Sequence, residues 1–168
     1  MNVTAFDHVH IYARDVEHTI AFYQRCFGAE PVGTLAAGDG RVHRFVILGG
    51  QYIAISPFPA TMQPRDAPPV GDGAVQSGFG IAHVGLNVDD IDAAVAHLRR
   101  NGVDVHGDVA GAGALRYVYA SAPDGVIVEL TQYVLPPKLA PGAKLLALLN
   151  SAIHAMRRTI ARKLMSSV

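Results

Sequence analysis

Two stretches of this sequence alternate apolar and polar side chains in the same way and stand 75 residues apart. The first is Asp7-His8-Val9-His10-Ile11-Tyr12-Ala13-Arg14-Asp15, the second Ala82-His83-Val84-Gly85-Leu86-Asn87-Val88-Asp89-Asp90. A two-residue period with β-favouring side chains predicts a strand in each, over 5–12 and 80–88. After each strand the period lengthens to that of a helix. Asp15 is placed to cap a helix through Ile20, Phe22, Tyr23 and Phe27 that Gly28 ends, and a second helix over 90–101 stops at Asn101-Gly102. Three short strands follow each helix: about 30–36, 41–48 and 51–56 in the first copy, and 103–109, 114–121 and 125–132 in the second. Gly38-Asp39-Gly40 and Gly49-Gly50 mark tight turns between strands of the first copy. Each copy therefore reads βαβββ, and the pair predicts an α+β domain built of two like halves.

Between the copies, Pro57 to Gly78 is rich in Pro, Gly and Asp, a connector long enough to serve as a lid or linker. After Leu135 the pattern changes once more. Pro136, Pro137 and Pro141 break any strand, and Leu145, Leu149, Ile153, Met156, Ile160 and Leu164 then recur every three or four residues as one apolar stripe on a helix. The organisation expected is a body over 1–134, with modules at about 4–57 and 79–133 and a linker over 58–78, then a helical extension over 135–168.

Charge sharpens this division. All 14 acidic residues lie at or before Glu129, beside eight basic ones, so that part carries −6 and the remainder, with six basic residues and no acid, +6. The expectation is that the basic helix lays its stripe on the protein itself, in its own subunit or across a dimer, in preference to a membrane surface. Basic residues without interleaved aromatics do not point to nucleic acid. No uncharged apolar run reaches 18 residues, no signal peptide is evident, and a single cysteine, Cys26, rules out an internal disulfide. A cytoplasmic location is expected.

Strand alternation places His8, His10 and Tyr12 on one face, and His83, Gly85 and Asn87 on the matching face of the second copy. On the last strand of each copy, Glu129 falls opposite Ala54 in the repeat. Two imidazoles and one carboxylate, His8, His83 and Glu129, suit a divalent metal such as Fe(II) or Mn(II) with coordination positions left open. Any one strand histidine taken alone is more often a hydrogen-bonded structural residue; the equivalent placement of two is what singles them out. His10, on the face of His8, is a candidate acid–base group. Arg44, matched to Tyr119 by the repeat, is a candidate contact for an anionic substrate. On the repeat alone, Ala54→Glu adds a fourth ligand.

Phe6-Asp7-His8-Val9, Phe22-Tyr23 with Phe27-Gly28, Ala82-His83-Val84-Gly85-Leu86, and Tyr119-Ala120-Ser121-Ala122-Pro123-Asp124-Gly125 leading to Glu129 resemble the vicinal oxygen chelate superfamily over about residues 4–133. That group includes glyoxalase I, methylmalonyl-CoA epimerase, fosfomycin-resistance transferases, bleomycin-binding proteins and extradiol dioxygenases. The resemblance implies paired βαβββ modules forming a cupped mixed sheet (the glyoxalase/bleomycin resistance/dihydroxybiphenyl dioxygenase fold) around a metal, usually in a homodimer. Glyoxalase I and the epimerase use Glu or Gln where this chain has Ala54. A His-His-Glu set with that position vacant is the pattern of extradiol dioxygenases and fosfomycin transferases. Tyr119, ten residues before Glu129, matches the dioxygenase signature, although the window Ala110-Gly111-Ala112 lacks the histidine of that signature and the serines of the fosfomycin enzymes' potassium loop. The resemblance thus implies an Fe(II)-dependent, extradiol-type oxidoreductase acting on a small catechol-like substrate. Its ligands would be His8, His83 and Glu129, with His10 and Tyr119 handling protons and Tyr12, Arg44, Ala54 and Asn87 lining the pocket. A binding or resistance protein that sequesters a small molecule, and a glyoxalase- or epimerase-like activity, are the alternatives.

Overall fold

The computed structural model describes residues 6–38, 40–62, 80–134 and 140–165. The first module forms strand β1 (His8–Ala13), helix α1 (Val16–Phe27) and strands β2 (Glu30–Ala36), β3 (Val42–Leu48) and β4 (Gln51–Pro57). The second repeats this order with β5 (Val84–Asn87), α2 (Ile91–Arg100), β6 (Val105–Ala112), β7 (Leu115–Ser121) and β8 (Ile127–Tyr133). A long helix, α3 (Ala140–Leu164), follows. Each module is a four-stranded mixed sheet, ordered β1-β4-β3-β2 and β5-β8-β7-β6. In both, the first strand runs parallel to the last and the other pairs are antiparallel. The expected linker falls almost wholly outside the described residues.

The helix boundaries follow the sequence signals. The Asp15 side chain accepts from the backbone N–H of His18 at 2.9 Å, and Asp90 from that of Ala93 at 3.0 Å, satisfying amides that have no partner within a helix. Gly28 ends α1 with φ 69°, the left-handed conformation that glycine adopts without strain. Each helix then buries one face: Ile20, Tyr23 and Cys26 from α1, and Ile91, Val95 and Leu98 from α2. Burial raises the Cys26 thiol pKa. On α2, Asp92 accepts two hydrogen bonds from Arg116 of β7, both 2.9 Å, and the guanidinium holds this carboxyl below its ordinary value. A carboxyl whose pKa is lowered by folding stabilises the fold above its unfolded pKa and loses that contribution as pH falls through the folded value. Asp92→Asn is therefore expected to lower Tm at neutral pH. The difference from the parent should close as pH drops below the carboxylate value of about 3.9, which thermal scans across pH will show.

The chain divides into two compact units, Met1–Pro64 with Pro141–Val168, and Arg65–Ala140. The C-terminal helix therefore belongs to the unit of the first module. There α1 packs on β3 and β4, and α3 lies on the opposite face of the sheet. Ala161, 2% exposed, joins Val32, Phe45, Ile47 and Ala54 in one cluster, with Tyr52 and Met165 against it. Polar contacts fix the helix in place. Tyr52 O–H donates to the carbonyl of Arg157 at 2.9 Å, and Arg157 donates to the Gly50 carbonyl and the Gln51 side chain at 3.1 and 3.0 Å. Arg158 and Arg162 both reach Glu30, at 2.9 and 3.5 Å. At the β3–β4 turn, Gly49 and Gly50 have φ 54° and 81°, and a Cβ on Gly50 would stand 1.9 Å from the His154 ring, so only glycine fits beneath the helix there.

The docking face is not the one expected. Leu145, Leu149, Ile153, Met156 and Ile160 of the apolar stripe are 47–59% exposed, whereas His154, Arg157, Arg158, Ala161 and Met165 face the sheet. A small residue that permits close approach, and arginines that satisfy carbonyls and Glu30, decide the contact in place of the large apolar side chains. The attraction between basic tail and acidic body does hold, at Glu30. No helix among the described residues is long and apolar enough to cross a membrane.

Candidate metal centre

In the unit of the second module, β5 is an edge strand paired with β8 only over Val84–Asn87. His83 therefore precedes the ladder, where a strand starting at residue 80 was expected. Its side chain still reaches β8, with Nε2 3.2 Å from Oε2 of Glu129. Parallel pairing sets Gly85 beside Glu129, where a Cβ would lie 3.9 Å from Oε2, in ordinary van der Waals contact. Tyr119 is paired with Glu129 across the antiparallel β7–β8 ladder. Its hydroxyl hydrogen-bonds the carboxylate, which raises the phenol pKa, helped by burial and by the negative charge. The ring of Tyr119 also lies 5.5 Å from that of His83 and 5.9 Å from that of Tyr117. His83, Glu129 and Tyr119 thus form one contiguous group. Asn87, on the same face, is turned to the backbone and donates to the Thr131 carbonyl at 3.1 Å.

The first module presents the matching positions on its own sheet. His8 Nδ1 lies 2.7 Å from the Asp7 carboxylate, which in the neutral ring places the hydrogen on Nδ1 and leaves Nε2 as a lone-pair donor. His10 lies beside it, ring centroids 6.4 Å apart, and Tyr12 follows 4.8 Å from His10, as alternation requires. His10 Nε2 contacts the buried Ser56 hydroxyl at 2.9 Å. Burial, then the neighbouring His43, His8 and Arg41, lowers the His10 pKa. His43 and Arg41 escape a reading based on the repeat, although His43 shares the alternation of Phe45 and Ile47. The His43 ring is 4.7 Å from that of His10, and its buried Nε2 has no hydrogen-bond partner among the described residues. Arg41 donates to the Pro57 carbonyl at 3.0 Å and lies over the Tyr12 ring, which also meets Phe58 edge-on.

Two other positions differ from expectation or gain meaning. Arg44 does not share the face of His10: it pairs with Ile55, not Ala54, and its guanidinium is held by Glu17 of α1. The repeat slips by one residue in this hairpin. Phe45, not Arg44, pairs with Ala54 as Tyr119 pairs with Glu129, and a one-residue slip reverses the face of every side chain. Ala54 is on the expected face, paired with His10, but it is fully buried under Ala161 of α3.

Among the described residues of either unit, no three His, Cys, Asp or Glu side chains form a metal-holding group. Within the second unit, His83 and Glu129 do fit as two ligands of such a set. Ligands about 2.1 Å from one ion at a right angle stand about 3.0 Å apart, close to the 3.2 Å here. His8, oriented by Asp7, is the donor of the same chemistry in the first unit. Tyr119→Phe, which removes the hydrogen bond to Glu129, is expected to weaken divalent-metal binding by roughly 10- to 100-fold with little change in Tm, as measured by chelator competition.

The family profile of the Glyoxalase/Bleomycin resistance protein/Dioxygenase superfamily matches residues 5–130, and the chain belongs to that superfamily. It is 30% identical over 140 residues to the mitochondrial methylmalonyl-CoA epimerase of Bos taurus, covering 78% of this chain and 75% of the relative. Solved structures share the fold. The fosfomycin resistance protein FosX from Listeria monocytogenes, complexed with Mn(II) and sulfate, aligns with TM-score 0.56 at 18% identity over 82% of this chain and 99% of its own. TnmS3, an antibiotic binding protein from Streptomyces sp. CB03234, aligns with TM-score 0.59 at 22% identity over 79% and 98%.

Proposed function

We propose that this chain is a cytoplasmic, homodimeric, metal-dependent enzyme of the extradiol dioxygenase type. In this reading it acts on a small substrate with two vicinal oxygens, such as a catechol, and His8, His83 and Glu129 hold Fe(II). The observation that carries the proposal is position 54. The four-ligand arrangement of glyoxalase I and the epimerase needs a carboxylate or amide there, and this chain has a methyl group buried beneath α3. Three protein ligands leave positions open for a chelating substrate. When bound, the metal supplies Lewis-acid polarisation and a template for the two substrate oxygens.

The chain's own groups do the rest. Asp7 holds His8 in the ligating tautomer, and Tyr119 orients Glu129 through its hydroxyl. His10, braced by Ser56, is the candidate proton acceptor, and Tyr119 the candidate donor. Tyr12 and Phe58 offer an aromatic surface next to His10 for a planar substrate.

That same surface favours a second reading, capture of a small aromatic molecule without turnover, in the manner of a binding protein such as TnmS3. Anaerobic Fe(II) loading followed by oxygen uptake on a panel of catechols separates the two. Oxygen consumption matched by ring-opened product supports the enzyme. Tight binding of the same catechols to metal-free protein, with no oxygen uptake after loading, supports capture and overturns the proposal.

A further inference from the structure

We infer that the outward stripe of α3 is a self-association surface, on which a second copy of this chain packs its own α3 in antiparallel orientation. The inference is independent of the chemistry at the metal centre. It starts from a division of labour on one helix. The face bearing Arg157, Arg158 and Ala161 is committed to the first module, while Leu145, Leu148, Leu149, Ile153, Met156 and Ile160 stand 47–70% exposed on the other side. At 1.5 Å rise per residue this stripe is roughly 23 Å long, and contiguous apolar patches of such size mark interaction sites.

Charge selects the partner. Arg157, Arg158 and Arg162 are turned to Gly50, Gln51 and Glu30, so the cations that would hold an anionic membrane surface are already engaged by the protein. Neutral Thr159 borders the stripe. Among the described side chains, Lys163, one turn beyond Ile160, is the cation on its side, and the exposed Lys163 disfavours a parallel pair, which would set it beside its own copy.

The order of side chains selects the geometry. A two-fold contact requires a surface complementary to itself. The stripe is nearly palindromic about the point between Ala152 and Ile153: Leu145 then faces the partner's Ile160, Leu149 faces the partner's Met156, and Ile153 faces the partner's Ala152. The 4-3-4 spacing of Leu149, Ile153, Met156 and Ile160 is that of a helix–helix seam. In this register Lys163 meets the partner's Gly142, where no charge opposes it.

Sedimentation velocity of the full chain across the micromolar range tests the inference. Twice the chain mass of 17.8 kDa is expected, falling to the single-chain mass in Met156→Glu, which keeps the parent's far-ultraviolet circular dichroism. A double variant, Leu149→Cys with Met156→Cys, should form covalent dimers on oxidation, whereas Leu149→Cys alone should not. Seven residues of helix separate the two positions by about 10.5 Å, beyond the Cα distance of about 7 Å that a disulfide spans, so no link closes within one chain. The native Cys26 is buried. Four results would overturn the inference: a single-chain mass at every concentration, a dimer that Met156→Glu leaves intact, equal cross-linking by Leu149→Cys alone, or single chains that phosphatidylserine vesicles capture through the stripe.

Discussion

His83→Ala is expected to weaken divalent-metal binding by more than about 100-fold, because it removes a ligand, and loss even of a group that merely orients a ligand costs about 10- to 100-fold. The fold should tolerate the change. His83 is one-third exposed and precedes the β5 ladder, so its loss leaves no cavity and breaks no backbone pairing. A chelator-competition titration beside a thermal scan checks both halves. Affinity within about threefold of the parent would mean that the 3.2 Å contact with Glu129 is only an ion pair.

Ala54→Glu is expected to act on stability and not to create the fourth ligand that the repeat alone implies. Ala54 has no exposed surface and touches the layer formed by Val32, Phe45, Ile47 and Ala161. A carboxylate there is either buried without a partner, at about 3–5 kcal/mol, or forces α3 off the sheet. Denaturant unfolding of the full chain should show a loss of that size, with no gain in metal affinity. Unchanged stability would show that Ala161 does not cover the position. Helix α3 thus covers the position at which the repeat alone implies a fourth ligand.

Much of this is legible in the sequence because the repeat states it twice. Asp15 caps its helix as expected and its repeat counterpart Asp90 does the same, and the 75-residue offset that matches Ala54 to Glu129 reappears as the pairings His10–Ala54 and Gly85–Glu129. What escapes has local causes. The repeat misplaces Arg44 because the hairpin of β3 and β4 slips by one residue, which a fixed offset cannot register. His43 stays hidden because the repeat gives no weight to a histidine whose 75-residue counterpart is Val118. For α3, periodicity reveals an apolar face but not what covers it. Ala161, Tyr52 and three arginines choose the opposite face, through a close approach and hydrogen bonds that hydrophobic spacing does not encode.

The proposed chemistry needs donors from both modules on one metal: His83 and Glu129 from the second and His8, oriented by Asp7, from the first. Titration of the parent and of His8→Ala with Fe(II) under anaerobic conditions, and with Mn(II), puts that requirement to the test. One ion per chain is expected in the parent, and a loss in His8→Ala as severe as that in His83→Ala. A His8→Ala protein that holds the ion as tightly as the parent would refute a centre shared between the modules.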